Sequence, residues 1–190
     1  MKSNIIGEKI LNLCMEKNIS FDELSERTGL SVGQIETIVN IEELPSLTPL
    51  IKIARALGVR LGTLLDDSEM LGPVIHRESD LNKPVTFSSQ FSTSNSHLDF
   101  FSLAGNKSGR HMEPFLIDIK PSLNQESVLS SHEGEEFIFV LQGSVKIIYG
   151  KETNILNAGD SIYYDSIVNH LVCAADNHPS KIVAVIYTPV

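Results

Sequence analysis

Apolar residues recur with a helical period through the first third of the chain and with a strand period through most of the rest. Ile6, Ile10, Leu13 and Cys14 stand at i, i+4, i+7 and i+8, on one face of a first helix. Ser20, followed three residues on by Glu23, has the form of a capping box that opens a second helix with Leu24 turned inward. Thr28-Gly29-Leu30 breaks that helix. Ser31 with Gln34 repeats the box, and Ile35, Ile38 and Val39 make the apolar face of a third helix. Thr48 ahead of Pro49 predicts an N-cap and a first-turn proline for a fourth helix, carried by Leu50, Ile51, Ala54 and Leu57 and ended by Gly58. Arg60 to Leu65 reads as a short fifth helix.

From about residue 83 the period falls to two. Segments 84–89, 97–105, 112–120, 135–143, 144–150, 160–166, 170–176 and 181–189 are rich in Val, Ile, Phe and Tyr, and turn formers such as Asn157-Ala158-Gly159-Asp160 separate them. Eight short strands at close spacing predict a barrel or sandwich. The fold class expected is therefore α + β in two domains: five helices over 1–67, a linker over 68–82, and a β domain over 83–190. The Ser-rich stretch 88–96 reads as a surface loop.

Composition narrows the function classes. Charged residues are 21% and hydrophobic residues 42% of the 190, which is globular rather than disordered. A net charge of -9 argues against a general polyanion-coating protein. No apolar run reaches the roughly 18–20 residues that span a bilayer. The N-terminus MKSNIIGEKILNL lacks the apolar stretch and cleavage site of a signal peptide. Cys14 and Cys173 lie far apart and in no metal-binding spacing. A reduced, cytoplasmic protein is expected.

Ser25, Gly29 and Ile35 have the spacing of a helix-turn-helix: small where two helices touch, glycine at a left-handed turn, apolar to lock the second helix. With IGEKI upstream and PSLTPLIKIARALGVRLGTLL downstream, residues 6–65 resemble the Cro/Xre (lambda-repressor-like) DNA-binding family. The resemblance implies that the helix starting at Ser31 enters the major groove. Val32, Gly33, Gln34, Glu36 and Thr37 would then face DNA, with Asn40 near the backbone. Gln34 could pair with an adenine edge and Thr37 could touch a thymine methyl. The sequence departs from the family in lacking Arg or Lys at Val32 and Thr37. Glu36, Glu42 and Glu43 would also sit near phosphates, in a segment 1–67 with seven Lys and Arg against ten Asp and Glu. Counterion release driven by protein cations supplies most non-specific affinity, so that affinity should be meagre.

SSHEGEEFIFVLQG and LNAGDSIYYDSIVNH resemble the two signature stretches of the cupin superfamily, small double-stranded β-helix or jelly-roll barrels. Ser130, His132, Glu136 and Gly143 occupy the places of the first stretch, and His170 closes the second. His132 and Glu136 are four residues apart, so on one strand they share a face. With His170 they make a two-histidine, one-carboxylate set of the kind that holds a divalent metal such as Zn, Fe, Ni or Mn. Ser130 stands where a metal-binding cupin has its first histidine. Asp165 and Ile167 replace the proline and glycine of the second stretch. An effector pocket formed by Ser130, His132, Glu136 and His170 is therefore expected, with or without metal. Phe137 and Phe139 are expected in the core, Tyr149, Tyr163 and Tyr164 are left without assigned direction, and His76, His97 and His178 are expected at the surface.

The combination resembles transcription regulators with a Cro/Xre domain and a cupin sensor. It implies a DNA-binding regulator rather than an enzyme, with partners of a double-stranded operator, a small-molecule effector, and a second copy of itself. Two other readings stay open. One is a metal-dependent cupin oxygenase or isomerase with an appended helical domain. The other is an adaptor that has lost DNA affinity.

Overall fold

A computed structural model describes residues 5–40, 46–65, 72–80, 85–86, 98–121 and 129–189. Five helices come first: α1 (Ile5–Lys17), α2 (Phe21–Thr28), α3 (Val32–Asn40), α4 (Leu47–Ala56) and α5 (Leu61–Leu65). Nine strands follow among the described residues: β1 (Val85–Thr86), β2 (Leu98–Ser102), β3 (Met112–Ile119), β4 (Glu135–Gln142), β5 (Ser144–Tyr149), β6 (Glu152–Asn157), β7 (Ser161–Asp165), β8 (His170–Ala174) and β9 (Ser180–Tyr187).

The helical region packs around one apolar centre. Ile10, Leu24, Ile35, Leu50, Ile53 and Leu64 are all fully buried there. Ser20 caps α2 by accepting from the Glu23 N–H, while the Glu23 carboxylate turns to Arg27 instead of closing the box. Gly29, at φ +68°, takes the left-handed position after α2, and its N–H returns to the Ser25 carbonyl. The Ser25 hydroxyl donates to the Leu30 carbonyl at 2.6 Å, tying the turn to the small residue beneath it. The fourth helix begins two residues earlier than its sequence pattern suggests. Ser46 is its N-cap and Pro49 its third residue. The early N–H groups of a helix have no intrahelical acceptor, so proline removes nothing there.

All strand pairings are antiparallel, in a six-stranded sheet of order β1-β2-β3-β9-β4-β7 and a three-stranded sheet of order β6-β5-β8. Inward residues alternate along β3, β4 and β9, and Ile117, Ile138, Ile182 and Ala184 meet Val145 and Ile147 of the smaller sheet in one core. A ladder contact between Ser130 and His170 joins the approach to β4 to the start of β8.

Four sequence expectations change. β6 was not among the eight segments because its residues are nearly all exposed and polar, with no alternation to read. Phe137 and Phe139 are not core: each leaves more than a third of its surface open on the outer face of β4. His76 is half-buried, with Nε2 2.7 Å from the Gly105 carbonyl, rather than a loose surface residue. His132 precedes β4 instead of lying on it, and Gly134, at φ +110°, turns the chain between them. A side chain at Gly134 would meet the Tyr187 carbonyl oxygen at 2.0 Å. The Ser-rich stretch 88–96, His97, and Glu42 with Glu43 lie outside the described residues.

The two regions touch at defined points. Gly62 of α5 sits against the buried Arg110–Glu113 ion pair, where an added Cβ would come within 2.8 Å of both side chains. Arg55, in the last turn of α4, pairs with Glu133, next to His132.

Candidate functional site

Three buried side chains converge inside the barrel. His132 is delivered by the loop before β4, whose backbone is held by the His132 N–H donating to the Ser166 carbonyl. Glu136 is the second residue of β4, and its even position points it inward with Ile138 and Val140. His170 opens β8, held by reciprocal backbone hydrogen bonds to Ser130 at 2.8 and 2.9 Å. Nε2 of His132 is 2.9 Å and Nε2 of His170 3.3 Å from the same carboxylate oxygen, Glu136 Oε1. The three potential ligand atoms lie within 4.8 Å of one another, and all three residues are over nine-tenths buried.

The hydrogen-bond balance of this cluster fits a cation. Nδ1 of His132 faces the Glu133 carbonyl at 3.1 Å, and Nδ1 of His170 faces the Val168 carbonyl at 2.8 Å. Each ring therefore has an acceptor at both nitrogens. A neutral imidazole has one N–H and satisfies only one of them. A proton or a metal ion between each Nε2 and Glu136 completes the set, and carbonyls at Nδ1 are the arrangement that orients metal-binding histidines.

Two hydroxyls hold the carboxylate. Tyr164 donates to Oε2 at 2.8 Å, and Ser166 donates to Oε1 at 3.1 Å. Burial by itself would raise the Glu136 carboxyl, but hydrogen bonds from the two imidazoles and their charge hold it well below the usual carboxylate range. Burial opposes charge on His170, yet the hydrogen bond and negative charge of Glu136 leave its pKa raised. Tyr164 is pushed far up by burial first and then by the Glu136 charge, so its hydroxyl remains a donor. Ser130 is half-buried and lines the same cavity, but places no imidazole there.

The cavity in front of the cluster has a volume of about 140 Å³. Its wall is apolar, with Phe100, Ile117, Ile138, Ile182 and Ile186, and its polar pole is Ser130, His132, Glu136 and His170. Ser46, Leu47 and Thr48, at the start of α4, complete the lining.

Sequence reading left Tyr164 undirected and did not reach Ser166. The register Glu136↔Tyr164 puts them side by side, which pattern alone cannot supply. Tyr149 instead donates to the Asp165 carbonyl, and Tyr163 is exposed and bonds Glu135. Cys14, on the apolar face of α1, is buried, and Cys173 is half-buried.

The helix of the first motif presents a second surface. Gly33, Glu36 and Asn40 are exposed, and Val32, Gln34 and Thr37 are half-exposed, whereas Ile35, Ile38 and Val39 are buried. Ser31 and Gln34 form the complete capping box: the Ser31 N–H donates to Gln34 Oε1 at 2.8 Å, and the Gln34 N–H donates to Ser31 Oγ at 3.2 Å. Thr37 and Asn40 bond back to the Gly33 and Glu36 carbonyls. The outward face thus carries one carboxylate and no cation.

Comparison with known proteins matches this architecture. Residues 9–69 match the family model of the Cro/C1-type HTH DNA-binding domain, and residues 115–186 match that of the cupin domain. The chain is thus a Cro/C1-type helix-turn-helix domain joined to a cupin domain, a combination that supports transcription regulation. Among solved structures, an HTH_3 family transcriptional regulator from Vibrio cholerae is 22% identical with a TM-score of 0.69, over 100% of this chain and 97% of that one. HppE with Fe(II) is 22% identical with a TM-score of 0.51, over 98% of this chain and 100% of that one. Fe(II)-HppE with the alternative substrate (S)-1-HPP gives a TM-score of 0.52 at 22% identity, over 98% of this chain and 99% of that one. At such identity these likenesses concern the fold. No curated protein matches the sequence. Among the described residues no helix is long and apolar enough to cross a membrane.

Proposed function

We propose that the protein is a cytoplasmic, homodimeric transcription regulator that reads double-stranded DNA through α3 and responds to a small effector in the cupin cavity. The observation that carries the reading is the joining of a Cro/C1-type DNA-binding domain to a barrel with a buried, polar-poled cavity. The division into 1–67, 68–82 and 83–190 assigns reading to the first part and sensing and dimerisation to the last. His132, Glu136 and His170 would hold a divalent metal through three protein groups, leaving positions open for the effector. Bound there, a metal supplies a Lewis-acidic anchor for an anionic ligand group.

Dimerisation is supported by the outer face of the six-stranded sheet. Phe137, Phe139, Leu141 and Tyr163 are 36–62% exposed there. The register sets Phe137 between Tyr163 and Val185, and Phe139 beside Val183, making one continuous apolar patch. Monomeric proteins seldom leave such patches open. A second copy would also supply the paired reading head that one short helix needs.

A metal-dependent enzyme is the second reading, favoured by the two-histidine, one-carboxylate cluster and by the shared fold of an Fe(II) protein. Gel shifts with the DNA upstream of the protein's own coding sequence, run beside metal analysis of chelator-free protein, separate the two. Retarded DNA supports the regulator. Bound iron with no retarded DNA supports the enzyme.

A further inference from the structure

Residues of both regions meet at one cavity. Ser46, Leu47 and Thr48, at the start of α4, line it together with residues of the barrel. Leu47 is only 8% exposed although it is the first residue of its helix. Thr48 and Arg55 are seven residues apart, two turns of helix and about 20° of rotation, so they share a face. Arg55 pairs with Glu133 in the loop that carries His132. Gly62 of α5 adds a second contact, with the buried Arg110–Glu113 pair. The helical region thus meets the barrel through α4 and α5, and the first turn of α4 is the part that reaches the cavity.

The lining sorts by polarity. Ser130, His132, Glu136 and His170 make one pole, while Phe100, Ile117, Ile138, Ile182 and Ile186 make an apolar wall that Leu47 extends. No Lys or Arg stands among the described lining residues, so what the wall offers a ligand is apolar contact. At about 140 Å³ the cavity compares with the roughly 150 Å³ apolar cavity that accepts one benzene. Water finds few partners against such a wall, whereas an apolar group gains the dispersion contacts that the wall otherwise lacks.

We propose that the ligand has an apolar body of about the bulk of one six-membered ring and that this body bridges the two regions, seated between the barrel wall and Leu47 of α4. This rests on the reading of the cavity as an effector site. The ligand's polar group faces Ser130 and the imidazole pole. Occupancy holds the DNA-reading region against the barrel, and the resulting change in operator affinity is limited to the ligand's preference for the arrangement it bridges.

Toluene carries the body without a polar group, so its binding does not depend on how the pole is filled. Titrated into the full chain with methyl-labelled Leu, Ile and Val, it should give saturable shifts at one site per chain. Nuclear Overhauser contacts should run from its ring protons to the methyls of Leu47 and to those of Ile138 and Ile182. Glycerol, similar in size but with no apolar body, should give none. Ala184→Leu, which fills the wall, should weaken toluene at least tenfold, and Leu47→Ala, which removes the α4 contact, at least threefold. Should either variant fail to fold, the wild-type contacts still decide. No saturable toluene shifts, equal shifts with glycerol, or unchanged affinity in a folded Ala184→Leu overturns the apolar body. Contacts to the isoleucines without Leu47, or unchanged affinity in a folded Leu47→Ala, overturns the bridge. Gel shifts on the same preparations keep the regulator reading separate: retarded DNA with no toluene binding sinks this proposal alone, and toluene contacts to both regions without retarded DNA sink the regulator alone.

Discussion

The Gln34 side chain accepts the Ser31 N–H at 2.8 Å, so the residue best suited to read a base is also the one that caps its own helix. A bidentate contact to adenine needs both the amide oxygen and nitrogen, and the cap occupies the oxygen. Reading and capping therefore compete. Gln34→Glu keeps the capping box and places an acid in the first turn, which favours the helix. It should melt within about 0.5 kcal/mol of wild type yet lose sequence preference in anisotropy titrations. Gln34→Ala should lose both the preference and the return bond to the Ser31 N–H, at a stability cost of about 0.5–1.5 kcal/mol, while Ser31 still caps the residue 34 N–H. Full retention of sequence preference by both variants would mean that Gln34 reads nothing.

Metal affinity should respond to Ser130. Its backbone is held beside His170, so Ser130→His brings an imidazole to the pole without moving the strand ladder. Calorimetry with Zn(II) and Ni(II) should show tighter binding for the variant than for wild type, and Glu136→Gln should bind neither. Tyr164→Phe removes a buried donor to Glu136 Oε2 and should cost about 1–3 kcal/mol of stability with the metal site still occupied. Equal, negligible metal binding by wild type and Ser130→His would leave the pocket as a metal-free sensor.

The cluster sets a pH dependence whose sign depends on metal. In metal-free protein the raised pKa of His170 gives stability that is complete below its ordinary value of about 6.5 and is lost as pH rises through the folded value. The lowered pKa of Glu136 gives stability present above about 4.3 and lost as pH falls through its own folded value. Metal-free protein should thus melt at a higher temperature at pH 6 than at pH 8.5, and His170→Ala should flatten that difference. Bound metal competes with protons, so the slope should reverse in the loaded protein. The same slope with and without metal would place the metal elsewhere.

The apolar patch on β4 predicts a dimer. Light scattering of the full chain at tens of micromolar should give twice the mass of one chain, and Phe139→Lys should give one. A monomeric wild type removes the paired-head model.

What the sequence made legible follows its periodicity. The five helices and the glycine turn at Gly29 rest on patterns of spacing, and the convergence of His132, Glu136 and His170 rests on the resemblance to the two cupin stretches. Even so, the strand-parity argument for His132 reached a correct convergence by a wrong route, because Gly134 turns the chain before β4 begins. Residues of β6 carry no alternation, since both faces meet water. Phe137 and Phe139 mislead because an apolar residue on a sheet face looks the same whether it faces the core or a partner. Ser166, Tyr164, and the approach of α4 to the cavity depend on long-range register and packing, which one sequence does not encode locally.

The central claim, that α3 reads DNA as one of a pair, is tested most directly by selecting binding sites for the full chain from a random duplex pool. The account predicts an enriched palindrome with half-sites about 10 base pairs, or 34 Å, apart. It also predicts that Glu36→Lys, which reverses the charge on the exposed face of α3, strengthens binding to every duplex and steepens the salt dependence by about one unit. Enrichment of no sequence, with Glu36→Lys binding no better than wild type, would contradict it.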